Sequence, residues 1–234
     1  LEKIAAEKAG IFKAGVRAVV GESEEHTSPV FKRKFEELSG GRLIFADKVE
    51  PSLWYAHNSI LDAMDLRGEY QANNLRTVLA AIDLLKTMSP FEGLNDDNAV
   101  CKSIEKTASA MDFHGRWERL SVHPDVICDI GHNAHALKYN FHQLDQYVQD
   151  GKYSSLIIIY GVMADKDLDS IMPMMPRNAI YIFTTPSTSR ALPSEKILAR
   201  YLAFCDIDNR NKANVYKSDS VREAIKMAIT IEKK

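Results

Sequence analysis

The feature that most restricts the fold is a regular alternation of apolar and amphipathic segments in the second half of the chain. Strand-like apolar segments occupy residues 126–128, 156–160, 179–183 and the region of 215, and helical spacing marks residues 134–148, 168–175, 194–204 and 221–231. Residues 156–159 are continuously apolar, which is typical of a strand buried on both faces. The alternation predicts an α/β fold with a mostly parallel sheet and helices on both faces.

The first half of the chain has a less regular pattern. Helices are predicted at residues 1–9, 73–88 and 96–109, and after Ser28-Pro29 as far as the glycines at 40–41; strands are predicted at 16–20 and 42–46, and residues 47–68 are strand-like. The pattern changes near residues 116–120. We therefore expect one domain over residues 1–118 and another over 119–234.

Composition excludes several classes of protein. The chain of 234 residues has 30 Lys and Arg against 32 Asp and Glu, a net charge of -2, which gives no general attraction to nucleic acid or anionic membranes. It has no signal peptide pattern and no apolar run of the roughly 18 residues that span a bilayer. Its three cysteines are far apart and lack metal-ligand spacing. These features predict a cytoplasmic protein without nucleic-acid or membrane partners.

Both ends of the chain suggest that it was cut from a longer protein. It begins at Leu1 within an amphipathic pattern and stops at Lys234 without a recognisable ending. No G-x-x-x-x-G-K-[ST] phosphate loop is present, and no G-x-G-x-x-G follows a predicted strand.

Polar residues follow the predicted strand at 126–128. Residues 129–133 read D-I-G-H-N and lie where ligands bind in open parallel sheets, at the carboxyl end of a strand. Asp129 could bind ribose hydroxyls or a cation, and His132 could bind a phosphate or act as a donor. Alternatively, the segment is a turn in which Asn133 caps the next helix. Spacing alone leaves both interpretations open.

The next two strands also end in polar loops. Residues 161–167 read G-V-M-A-D-K-D, and residues 184–190 read T-T-P-S-T-S-R. Lys166 could meet a carboxylate or phosphate, and Arg190 could bind a carboxylate, although both loops could equally be solvated surface. Gly115-Arg116 lies at the predicted domain junction, where arginine is usually structural, and Lys8 lies near a helix end, where lysine is usually a surface charge.

Five segments, in order, resemble motifs of one family. They are I-A-A-E-K-A-G-I-F-K at 4–13, Q-A-N-N at 71–74, H-G-R-W-E at 114–118, D-I-G-H-N-A-H-A at 129–136 and G-V-M-A-D-K-D at 161–167. Together they resemble the folylpolyglutamate synthases and dihydrofolate synthases, which are Mur-type ligases. The fourth segment departs from the family's D-x-A-H-N-P-H-A at Gly131 and Ala134, which are both small.

The resemblance implies a partial P-loop-type central domain followed by a Rossmann-like domain. It implies a ligase that uses ATP and Mg to add L-glutamate to folate or dihydropteroate through an acyl phosphate, in a monomeric parent protein. The P-loop segment is expected upstream of Leu1, so we expect the 234-residue chain alone to be inactive. Another Mur-type amide ligase and a non-catalytic nucleotide- or folate-binding module are the alternatives.

The resemblance also implies residue roles. Lys8 matches a lysine whose carbamylation creates a Mg ligand. Asn74 matches an adenine-side contact, Arg116 a linker arginine that reaches the ATP phosphates, and Asp129 and His132 the signature residues beside the nucleotide. Asn133, in the same signature, is a further expected cofactor contact. Lys166 and Arg190 are candidates for glutamate or phosphate contacts, and Lys8, His132 and Lys166 are the expected catalytic residues.

Overall fold

The computed structural model describes residues 1–38 and 41–233. It separates into two compact units, Leu1–His114 and a second unit that begins at Gly115. The assignment of residues 1–118 to a central ATPase domain stays a prediction.

The first unit contains a short parallel sheet and six helices in its described part. The elements are α1 (Glu2–Ala9), β1 (Ala18–Val20), α2 (Ser28–Glu37), β2 (Leu43–Phe45), α3 (His57–Ala63), α4 (Gln71–Lys86), α5 (Asp97–Glu105) and α6 (Thr107–Met111). β1 pairs with β2 in parallel, Val19 opposite Ile44. The predicted end of α2 at the glycine pair falls partly on residue 40, outside the described residues.

The strand-like interpretation of residues 47–68 is wrong. This segment forms 3-10 turns at Ala46–Lys48 and Trp54–Ala56, followed by α3. Leu53, Ile60 and Met64 are buried and pack in one cluster with Leu75 and Leu79 of α4. Their spacing of seven and four residues is helical, and tertiary packing against α4 selects it over the loose polar alternation.

The second unit carries the regular alternation that the sequence predicts. Its elements are β3 (Glu118–Val122), β4 (Asp125–Cys128), α7 (Ala134–Gln149), β5 (Leu156–Tyr160), α8 (Leu168–Ile171), β6 (Ala179–Thr184), α9 (Ser194–Asp208), β7 (Val215–Ser218) and α10 (Val221–Glu232). A 3-10 turn at Met172–Met174 follows α8. β5, β6 and β7 form a parallel sheet in that order.

One predicted strand lies outside this sheet. β4, expected to be parallel, pairs antiparallel with β3, which the sequence analysis did not predict, and Arg119 lies opposite Ile127. β3 reads E-R-L-S-V, so only two of its five residues, Leu120 and Val122, are apolar, and both are largely exposed. The second unit therefore has a three-stranded sheet that is parallel throughout and, at its start, a separate two-stranded antiparallel hairpin.

Helices cover both faces of the parallel sheet. Tyr181 and Phe183 project from one face of β6 into a core that contains residues of α7, α8 and α9. Ile182 points to the other face by strand alternation and is also fully buried, and α10 contacts all three strands. No helix in the described part of the chain has the length and apolar character needed to cross a bilayer.

Two buried tyrosines of this core should respond oppositely to loss of their hydroxyl. Tyr160 Oη has no hydrogen-bond partner among the described residues, whereas Tyr181 Oη donates to Pro176 O at 2.7 Å. Tyr160→Phe should leave the free energy of unfolding at pH 7 unchanged or raise it by up to about 1 kcal/mol, and Tyr181→Phe should lower it by about 1 kcal/mol. Urea unfolding measures both changes, and equal losses would contradict this expectation.

Tyr160 also predicts how the stability of the chain depends on pH in alkali. Burial raises the pKa of the Tyr160 hydroxyl from its ordinary value of 10.0 to about 12. Because the pKa of Tyr160 is higher in the folded chain than in the unfolded chain, folding favours the neutral hydroxyl. The contribution of Tyr160 to the free energy of unfolding is therefore complete below pH 10 and is lost as the pH rises toward 12. Tyr160→Phe should therefore lose less stability than the parent chain between pH 10 and 11.5, which urea unfolding at both pH values will test.

Candidate functional site

The loop that opens the second unit is held in one conformation at Gly115. Gly115 has φ +71°, and a Cβ there would lie 2.7 Å from Ile130 Cγ2. Its N–H donates to Glu118 Oε2 at 2.8 Å, and its carbonyl accepts from the Ile130 N–H at 2.9 Å. Glycine is thus required by both the backbone conformation and the close approach of Ile130.

Trp117 holds the other end of this loop. It has φ +52°, unusual for a bulky residue, and is 5% exposed. Its N–H donates to Asp129 Oδ2 at 2.8 Å, and its ring meets the Tyr147 ring edge-on at 6.3 Å. Arg116 lies between Gly115 and Trp117 and is half-buried, with Nη1 3.5 Å from Gly115 O. The main chain on both sides of Arg116 is therefore fixed.

Asp129 follows β4 and joins three parts of the site. Its Oδ2 accepts from Trp117, and its Oδ1 accepts from the Gly131 N–H at 2.7 Å and from Asn140 Nδ2 at 2.8 Å. The loop of Arg116 and the signature segment are thus brought together at this carboxylate. Sequence reasoning missed Asn140, whose signal is a polar residue beside the apolar stripe of Leu137 and Phe141 in α7.

His132 and Asn133 lie on the surface just before α7. His132 is exposed, with Nδ1 3.1 Å from Ile130 O. Asn133 is the N-cap of α7, and its Oδ1 accepts from the Ala136 N–H at 2.8 Å. The capping role, one of two interpretations that the sequence left open, is what the structure shows, and a cofactor contact by Asn133 stays a prediction.

Lys166 and Arg190 converge on one carboxylate. Lys166 Nζ lies 3.3 Å, and Arg190 Nη2 lies 3.4 Å, from Asp165 Oδ2. The main chain supports this arrangement, because the Ala164 N–H donates to Arg190 O at 2.9 Å. The hydrogen bond from Lys166, aided by the nearby charge of Arg190, lowers the pKa of the Asp165 carboxyl. Two cations from different loops are thereby held together at the carboxyl ends of β5 and β6.

Glycine at 161 lets these two loops approach each other. A Cβ on Gly161 would lie 2.9 Å from Thr184 O and 3.0 Å from Pro186 Cδ. The DKD segment also ends in a helix cap, since Asp167 Oδ1 accepts from the Asp169 N–H at 3.1 Å. The predicted helix start near Asp167 is therefore confirmed, and ligand binding by this loop stays a prediction.

The candidates of the first unit are exposed. Lys8 is in the last turn of α1, where a cation interacts favourably with the helix dipole. Asn74 lies in the first turns of α4, and its Nδ2 donates to Gln71 Oε1 at 2.8 Å. Modification of Lys8 and nucleotide binding by Asn74 stay predictions.

A polar cluster beside α4 was not predicted from the sequence. It lies at the carboxyl ends of β1 and β2, where Asp47 Oδ1 accepts from the Ser23 N–H at 3.1 Å. Asn73 Nδ2 donates to Glu22 Oε1 at 2.8 Å and so links α4 to the same loop. Burial raises the pKa of Asp47, but the Ser23 hydroxyl and N–H outweigh it, and the net pKa is lowered.

Comparison with characterised proteins gives consistent similarities. The family model for the Mur ligase, glutamate ligase domain matches residues 115–234. The dihydrofolate synthase/folylpolyglutamate synthase of Escherichia coli K12 is 31% identical over 173 residues, 71% of this chain and 37% of that protein. The protein of the same name from Buchnera aphidicola subsp. Schizaphis graminum is 22% identical over 204 residues, 86% of this chain and 46% of that protein. The chain spans about half the length, or less, of these curated relatives.

Solved structures resemble the fold over nearly the whole chain. A Mycobacterium tuberculosis folylpolyglutamate synthase complexed with ADP and AMPPCP has a TM-score of 0.74 at 20% identity, with 99% of this chain and 53% of that chain covered. A bifunctional synthase from Yersinia pestis complexed with AMPPNP and Mn has a TM-score of 0.67 at 20% identity, with 98% and 50% covered.

The family match begins at Gly115, the first residue of the second unit, and covers just over half of the chain. It includes the Asp129 carboxylate, the loop of Arg116 and the pair formed by Lys166 and Arg190. The chain therefore belongs to the Mur ligase family, whose glutamate ligase domain is residues 115–234.

Proposed function

We propose that this chain is part of an ATP-dependent ligase that adds L-glutamate to folate or dihydropteroate. The observation that carries the proposal is the Asp129 carboxylate, which fixes the main chain beside Arg116 and the segment that contains His132. The main chain of Arg116 is thereby fixed, and in this proposal its guanidinium binds an anion, since preorganised charge is the main source of catalysis in phosphoryl transfer. The curated relatives carry the same activity in their names.

The proposed roles in nucleotide binding follow the family motifs that the sequence carries. In this proposal Arg116 binds phosphate oxygens, Asp129 and His132 lie beside the nucleotide, Asn133 adds a contact, and Asn74 serves the adenine side. The residues fit such a ligand, since Arg116 offers a guanidinium on a fixed main chain, and the exposed His132, whose Nδ1–H donates to Ile130 O, offers Nε2–H to an anion when the ring carries both protons. When bound, ATP supplies the phosphoryl group that makes the acceptor carboxylate electrophilic.

The amino acid substrate would be recognised by Lys166 and Arg190. Glutamate brings carboxylates, and two adjacent cations at the carboxyl ends of β5 and β6 offer a counter-charge where ligands bind in parallel sheets. Asp165 keeps both cations in place in the absence of substrate.

Mg would be held with the help of Lys8. A lysine amine is not a Mg ligand, whereas a carbamate offers the oxygen atoms that Mg prefers. The exposed position of Lys8 leaves its amine open to carbon dioxide. The proposed enzyme works as a monomer. Its proposed place is the cytoplasm, which agrees with the sparse, dispersed cysteines.

A domain exchange tests the proposal. Residues 115–234 replace the matching domain of the E. coli relative, and incorporation of labelled L-glutamate into dihydropteroate or a reduced folate is measured with and without ATP. We expect ATP-dependent incorporation by the chimera and none by the 234-residue chain alone, which contains no phosphate loop. A folded chimera that binds ATP but adds no glutamate would contradict the proposal.

Lys166→Ala in this chimera should raise the KM for L-glutamate about 30-fold, because a charge-assisted hydrogen bond contributes about 2 kcal/mol. The KM for ATP should stay within about twofold. Lys212→Ala is the matched control, since Lys212 also pairs with an exposed aspartate, Asp206. Steady-state kinetics with each substrate varied gives both constants, and equal effects of the two substitutions would refute the role of Lys166.

A further inference from the structure

Asn140 is a buried polar residue for which the proposed function has no use so far. It lies in the middle of α7 and is 5% exposed. Its Nδ2 donates to Asp129 Oδ1 at 2.8 Å, whereas its Oδ1 is buried without a hydrogen-bond partner among the described residues. A buried oxygen without a donor costs about 1–3 kcal/mol, so an apolar residue here would suit the core better. Asn140 therefore calls for an explanation other than packing.

The orientation of the Asn140 amide follows from the chemistry of Asp129. An ionised carboxylate only accepts hydrogen bonds, so the amide nitrogen must face it and the amide oxygen must face away. The unpaired Oδ1 is thus a consequence of the bond to Asp129. Rotating the amide would satisfy neither group, because two oxygens would then meet.

Gly131 provides the space for this contact. A Cβ there would lie 2.8 Å from Asp129 Oδ1, 3.0 Å from Asn140 Nδ2 and 3.3 Å from Ala136 Cβ. The φ of Gly131 is outside the left-handed region, so glycine is required for space and not for backbone conformation. Gly131 is also a position where this chain departs from the D-x-A-H-N-P-H-A motif.

We propose that Asn140 is a positioning residue for Asp129, and that glycine at position 131 leaves the space that the side-chain amide of Asn140 needs. Asn140 and the Gly131 N–H hold Oδ1, which orients Oδ2 toward the Trp117 N–H beside Arg116. The hydrogen-bond coupling stands on the geometry alone. Its consequence for nucleotide binding rests on the proposed function.

The coupling is tested in the 234-residue chain by amide hydrogen exchange, read by NMR at Gly131 and Trp117. Asn140→Asp keeps the shape of the side chain but replaces the donor by a second carboxylate. We expect exchange at both amides to accelerate at least about tenfold, because they share an acceptor whose orientation is lost. Asn211→Asp is the matched control, since it makes the same chemical change at an exposed asparagine of the second unit, whose Oδ1 accepts from the Ala213 N–H at 2.8 Å, and it should leave both rates within about twofold.

A double-mutant cycle tests the role of Gly131. Gly131→Ala should destabilise the chain to urea, and the loss should be smaller in an Asn140→Ala background, where one of the colliding atoms is gone. Strict additivity would overturn the assignment to Gly131. Unchanged exchange at Gly131 and Trp117 in a folded Asn140→Asp chain would overturn the assignment to Asn140.

Nucleotide binding separates this inference from the proposed function. In the chimera, Asn140→Asp should raise the Kd for MgATP about tenfold, while Asn211→Asp should not change it. Accelerated exchange with an unchanged Kd would leave the positioning of Asp129 intact and would count against its proposed place beside the nucleotide. If neither the exchange rates nor the Kd for MgATP changed, both the positioning role of Asn140 and the place of Asp129 beside the nucleotide would be rejected.

Discussion

Asp129→Ala should lower the free energy of unfolding of the second unit by about 3 kcal/mol, since three donors lose their acceptor at once. The Trp117 residue and Asn140 are buried, so water replaces the carboxylate poorly at two of the three donors. Urea unfolding followed by tryptophan fluorescence measures the loss. In a Trp54→Phe background Trp117 is the only tryptophan of the chain, so the signal reports on this site.

Asp165→Ala is the control for this prediction. Asp165 is an exposed aspartate of the same unit, and its side chain is 52% exposed. Loss of an exposed carboxylate should change the free energy of unfolding by no more than about 0.5 kcal/mol. If both substitutions gave the same small loss, Asp129 would not organise the loop of Arg116.

Gly115→Ala should lower the free energy of unfolding by about 3 kcal/mol, through two separable causes. A left-handed backbone costs an alanine about 1–2 kcal/mol, and the collision of the new Cβ with Ile130 Cγ2 at 2.7 Å adds about as much again. Arg116 would be displaced with the loop. Urea unfolding measures the total.

Two further variants separate these causes. Gly151 has φ +70° and no atom within 4 Å of its would-be Cβ, so Gly151→Ala shows the backbone cost by itself. Ile130 is 54% exposed, so Ile130→Ala should cost little and should remove most of the collision in the double variant with Gly115→Ala. The double variant should then lose about as much as Gly151→Ala. A loss as large as that of Gly115→Ala alone would show that the close approach of Ile130 is unimportant.

These predictions depend on contacts that sequence patterns reach only in part. The motif of residues 129–136 indicated Asp129, His132 and Asn133 as candidates. Of these, Asp129 and Asn133 hold the local structure, through the hydrogen bonds of the carboxylate and the cap of α7. Asn140 lies eleven residues beyond Asp129 within a regular helix, and its donor role depends on how α7 packs beside the end of β4. Helical periodicity marks the face on which a residue lies but not the group that it meets.

The sequence by itself determined the parallel strands β5 and β6, the helices of the alternation and the α4 helix, because strong apolar periodicity fixes both the type of element and its buried face, while β7 was marked by Val215 alone. Tertiary structure alone decided that residues 47–68 coil into turns and a helix against α4, that β4 pairs antiparallel with the exposed β3, and that Lys166 and Arg190 share Asp165. Each of these depends on which surfaces meet in space. Contacts between distant residues are set by the packing of whole elements, which local pattern does not encode.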